Sequence, residues 1–117
     1  MKKVFRSVGA SAKLIEAGQP VFVIVPSPSS EHGLHGKVVS NIQEIRARGA
    51  RTIVIAEEGD EDVVPFADVI IWVPATPPLL APLVTTVPLQ VFACELASAK
   101  GLDVDQPRNL AKSVTVE

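Results

Sequence analysis

Three short apolar runs, rich in β-branched residues, divide the chain: VFVIV at 21–25, TIVIA at 52–56 and VIIWV at 69–73. None alternates apolar with polar. Each therefore reads as a strand buried on both faces, as in a parallel sheet. Between the first two runs, Leu34, Val38, Ile42 and Ile45 recur at steps of four, four and three. That spacing predicts a helix over 34–48 with one apolar face. Glu44 and Arg48 lie off that face at i,i+4, His35 is expected on the helix surface, and Gly49 is a natural stop. EEGDED at 57–62 reads as a solvated acidic turn, followed by a short helical turn at 63–66 with Asp60 or Glu61 at its positive end. After the third run, Thr76 is expected as an N-cap with Pro77 in the first helical position. A helical region then extends to about Lys100, kinked or restarted at Pro88, and ends at Gly101.

Strands alternating with helices predict an α/β fold: a small parallel sheet with flanking helices and right-handed crossovers. A parallel sheet needs cover on both faces, and only two substantial helices are available. The sheet is expected to be an incomplete unit, or to be completed by another chain.

Composition narrows the function classes. The chain has 117 residues, 47% hydrophobic and 21% charged, enough for one globular domain. A net charge of −2 gives no nucleic-acid footprint and no basic membrane patch. The single cysteine, Cys94, fits a reducing, cytoplasmic setting, and no secretory signal follows Met1. No charged residue occurs between Val69 and Cys94, but Pro74, Pro77, Pro78, Pro82 and Pro88 argue against a membrane-spanning helix there.

Candidate chemistry is sparse. Ser27, Ser29 and Ser30 follow the first strand, where open α/β sheets place ligands; they are read either as a phosphate-holding loop or, more simply, as a loop whose serine caps the next helix. Gly9 with Ser7 or Ser11 offers a second, weaker phosphate cradle. His32 and His35, beside Glu31, lack a third ligand in sequence, so no metal is expected. Cys94 and Trp72 are expected in the core, Cys94 as an inert thiol. No cofactor is indicated.

The tail at 103–117, DVDQPRNLAKSVTVE, adds a specific signal, together with TVPLQVFA at 86–93 and SNIQEIRARGA at 40–50. These blocks, in this order, resemble the end of the second sugar-isomerase (SIS) domain of the isomerising glutamine:fructose-6-phosphate aminotransferases, also called glucosamine-6-phosphate synthases. The resemblance runs from about Leu14 to Glu117 and leaves 1–13 divergent or foreign. It implies a flavodoxin-like SIS fold and a sugar-phosphate ligand in the parent enzyme. A homo-oligomer is expected, with neither nucleic acid nor membrane as a partner. By that resemblance Lys112 is the lysine that forms a Schiff base with the open-chain ketose, and Ala111 touches the sugar through its backbone. Where the family carries Lys-His-Gly-Pro, this chain reads Val8-Gly9-Ala10-Ser11, so the ring-opening histidine is absent. The family's proton-transferring glutamate would fall before Met1. The chain is therefore expected to be a C-terminal fragment without synthase activity of its own. A non-catalytic phosphosugar-binding or self-associating module is the alternative.

Overall fold

The computed structural model describes residues 17–30 and 33–105. Three strands form one parallel sheet in the order β1-β2-β3: β1 is Pro20–Ile24, β2 is Arg51–Glu57 and β3 is Val69–Val73. Helix α1 (Leu34–Ala47) joins β1 to β2, and a 3₁₀ helix (Glu61–Phe66) joins β2 to β3. Helix α2 (Ala81–Ala99) follows β3. The three apolar runs thus become the three strands, shifted by a residue or two at their ends.

Register explains the core. Val23, Val54 and Ile70 stand opposite one another across the sheet. They pack with Val38, Val39 and Ile42 of α1 and with Val63 and Phe66 of the 3₁₀ helix. Ile42, Val54 and Val63 are fully buried. Alternation sends Ile24, Ile55 and Ile71 to the other face. There the central residue Ile55 is buried, while Ile24 stays 44% exposed.

Short polar ties lock the connections. Gly49 ends α1 with φ at 87°, a conformation that a side chain disfavours. Its carbonyl accepts the Gly18 N–H at 2.7 Å. At the start of β2, the Asp68 carboxylate accepts the Thr52 N–H at 2.8 Å, and the Thr52 hydroxyl donates to the Phe66 carbonyl at 2.8 Å. These bonds fasten the foot of β3 to the foot of β2.

The chain divides into two compact units, 1–85 and 86–117, with the boundary inside α2. In the second unit α2 closes with a Schellman turn. Leu102 N–H donates to the Ala97 carbonyl and Gly101 N–H to the Ser98 carbonyl, with Gly101 at φ 69°.

Several sequence expectations are corrected. α2 runs unbroken through Pro88 and does not restart there, and it buries no residue. It is long and apolar enough, by length and composition, to cross a membrane, so the proline argument against a span loses its force over 81–99. Thr76 does not cap this helix: its hydroxyl donates to the Pro74 carbonyl at 2.8 Å. The cause lies in the Pro77-Pro78 pair, because a residue that precedes a proline is driven out of the helical region. Residues 78–80 form a turn, and the helix begins only at Ala81. Trp72 is 42% exposed, and Cys94 is exposed as well. α1 starts from Gly33 in the left-handed region with no side-chain cap, so no serine of the 27–30 loop caps it.

Candidate functional site

The carboxyl ends of the three strands surround a cleft of about 410 Å³. Every residue that lines it lies in the first compact unit. Its walls are mainly apolar, with Ile24 from β1, Leu34 and Val38 from α1, Val73 from β3, and Pro78 and Pro82 beyond β3. Parallel strands bring their loops to this one edge, which is where open α/β sheets take ligands.

The serine loop sits on the rim but is largely turned inward. Ser27 and Ser29 share a hydrogen bond between their hydroxyls at 2.8 Å, and the Ser30 N–H donates to the Ser27 carbonyl at 2.9 Å. Ser30 behaves differently. Its Oγ is buried and has no hydrogen-bond partner among the described residues, and the residue lines the cleft. Glu57, the last residue of β2, also lines it. Among the described residues its carboxylate makes no hydrogen bond or ion pair.

A second cluster lies at the start of α1. His35 is buried there, not on the helix surface as its spacing suggested. Its Nε2 lies 2.7 Å from Asp60 Oδ2, and its Nδ1 lies 4.0 Å from Asp62 Oδ2. Asp60 is itself buried at 3% exposure, so the acidic turn is solvated only in part. Its other oxygen accepts the Asp62 N–H at 3.2 Å and caps the 3₁₀ helix, so Asp60 is the residue at that helix's positive end. The donor atoms of His35, Asp60 and Asp62 all lie within 4.8 Å of one another. Sequence spacing missed this trio because 25 residues separate His35 from Asp60. A buried carboxylate without its partner would be costly, and His35 removes that cost. Structural pairing thus accounts for the contact.

Asp68 is the one described group with a resolved shift in acidity. The hydrogen bond from the Thr52 backbone N–H holds its carboxyl below the usual range, with help from the Thr52 hydroxyl and the Arg46 and Arg51 charges, while desolvation opposes them. Lys112 and Ala111, the residues carried over from the aminotransferase family, lie outside the described residues, as do Ser7, Gly9, Ser11, Glu31 and His32.

Comparison with known proteins places this geometry. The chain is 75% identical over 104 residues to the glutamine–fructose-6-phosphate aminotransferase (isomerizing) of Streptomyces coelicolor, covering 89% of this chain and 17% of that protein. The protein of the same name from Mycobacterium tuberculosis is 64% identical over an equal span, with the same coverage. The chain thus spans 17% of the length of these relatives. Among solved structures, the C-terminal domain of glucosamine-fructose-6-phosphate aminotransferase from Francisella tularensis superposes with a TM-score of 0.72 at 34% identity, over 82% of this chain and 26% of that one. The SIS domain model matches residues 7–100, which takes in all three strands and both α-helices. A three-stranded parallel sheet carrying that match leaves one assignment: the chain belongs to the SIS domain family.

Proposed function

We propose that this chain is the C-terminal part of the isomerase half of a glutamine:fructose-6-phosphate aminotransferase, the enzyme that forms glucosamine 6-phosphate and glutamate from fructose 6-phosphate and glutamine. The observation that carries this reading is the 75% identity over 104 residues to the Streptomyces coelicolor protein of that name. Residues 14–117 are the part that follows the aminotransferases and 1–13 diverge from them, although the SIS match itself begins at residue 7. In the parent enzyme Lys112 attacks the open-chain ketone, which requires its amine to be desolvated and neutral. The Ala111 backbone contacts the sugar. The ligand is a sugar phosphate, the parent a cytoplasmic homo-oligomer, and neither nucleic acid nor membrane is a partner. The match of the SIS model across α2 favours a soluble packing role for that helix over a membrane span.

The chain alone is inactive on this reading, because Gly9 stands where the family carries its ring-opening histidine. The test has two arms. The 117-residue chain is assayed for glucosamine 6-phosphate from fructose 6-phosphate with glutamine or ammonia, and turnover would refute its inactivity. The chain's sequence from Leu14 onward is also grafted into the Streptomyces coelicolor enzyme in place of the matching segment. The chimera is expected to be active and to lose activity on Lys112→Ala. An active chimera indifferent to that change would refute the role of Lys112.

A further inference from the structure

The cleft at the strand ends occupies the position where a phosphate would be expected, yet its chemistry has the opposite sign. Four of its lining residues are prolines, Pro26, Pro74, Pro78 and Pro82, and none of them has a backbone N–H to offer an anion. The hydroxyls of Thr76 and Thr85 are spent as donors on the Pro74 and Ala81 carbonyls, which leaves their oxygens as acceptors. Ser27 Oγ already accepts the Ser29 N–H and is paired with the Ser29 hydroxyl. Among the described residues no lysine or arginine lines the cleft. What remains uncommitted is the Glu57 carboxylate and the buried Ser30 hydroxyl. Among the described residues, therefore, acceptor side chains exceed free donors, and the single charged lining residue is negative.

We propose that the cleft lined by Glu57 and Ser30 is a binding site for a small organic cation, an ammonium group carried on an apolar body. The ammonium donates to the Glu57 carboxylate. The body lies against Ile24, Leu34, Val73 and the proline walls. A charge-assisted bond beside apolar walls is stronger than the same bond in water. A volume of about 410 Å³ suits a ligand of this size.

Cyclohexylammonium chloride is the probe, titrated into the ¹⁵N-labelled 117-residue chain at fixed ionic strength and followed by amide NMR. The expected result is saturable shifts at Ser30, Glu57 and Val73, with a Kd on the order of 1 mM. Cyclohexanol, which keeps the body and lacks the charge, is expected to bind at least about tenfold more weakly. Glu57→Gln should weaken cyclohexylammonium to a similar extent. The cyclohexanol comparison needs no variant, so it decides the matter even if Glu57→Gln fails to fold. Equal affinity for amine and alcohol overturns the proposal. So does tighter saturation of the same amides by inorganic phosphate, or no saturation by the amine. Shifts at these amides on raising the protein concentration alone would make a second copy of the chain the occupant, and would overturn it too.

Discussion

Replacing Asp60 with alanine is the sharpest test of how the strand-end loops are held. The Asp60 carboxylate has two duties: Oδ1 caps the 3₁₀ helix by accepting the Asp62 N–H, and Oδ2 pairs with His35 Nε2 at 2.7 Å inside the protein. Loss of the cap costs about 1 kcal/mol. Stranding the buried His35 without its partner costs roughly 1–3 kcal/mol more. The expected destabilisation is therefore about 2–4 kcal/mol, a large share of the stability of a small domain. Urea unfolding followed by far-UV circular dichroism measures it. Asp60→Asn keeps the cap through its one oxygen and turns its amide N–H toward the ring, where only an unprotonated Nε2 can accept it; it should lose less than alanine. A double-mutant cycle with His35→Ala isolates the pair, and its coupling should be about 1.5–3 kcal/mol, as for a hydrogen bond to a charged group. Coupling under about 0.5 kcal/mol would refute the idea that this bond, and not the cap alone, fastens α1 to the turn after β2.

Asp68 sets a pH dependence: its folded carboxyl ionises below the unfolded one, so its contribution is present above the usual carboxylate range and is lost as pH falls through the lower folded value. Asp68→Asn should accordingly destabilise the chain at neutral pH, with the gap from wild type closing in acid below about pH 4; a gap that is constant with pH in urea titrations would count against this. Ile42, fully buried between α1 and the sheet, should cost about 1 kcal/mol as valine and 2–5 kcal/mol as alanine, and equal midpoints for the two variants would rule out tight packing there. Cys94, being exposed, should react fully with iodoacetamide in native buffer, and protection until urea is added would show that α2 is covered.

The strands were legible because a parallel sheet buries both faces of each strand, and that leaves unbroken apolar runs in the sequence. The helix after β1 was legible from its four-four-three spacing. Trp72 misled because an apolar run does not say which of its members lies at an edge. β3 pairs only with β2 among the described residues, so its side chains gain cover from one neighbour. His35 misled for a different reason: periodicity reports a helix's own faces, while its burial depends on Asp60, brought close only by folding. The inward turn of Ser27 and Ser29, and the solitary burial of Ser30 Oγ, depend on loop geometry that no spacing rule encodes. Pro88 suggested a break, yet one missing N–H was not enough to divide a helix with good residues on both sides.

The register of the sheet also sets the order of its assembly. β1 meets β2 across 31 residues (Pro20 with Arg51), whereas β2 meets β3 across only 16 (Ile53 with Val69). Doubling a loop adds about 0.6 kcal/mol of closure entropy, so the β2–β3 pair is the cheaper one to close. Of the three described strands, β1 is made before β2 and β3 and is then the last to find its place. In kinetic terms, Ile70→Val should slow refolding, while Val23→Ala should mainly speed unfolding. The reverse partition would place the nucleus at β1.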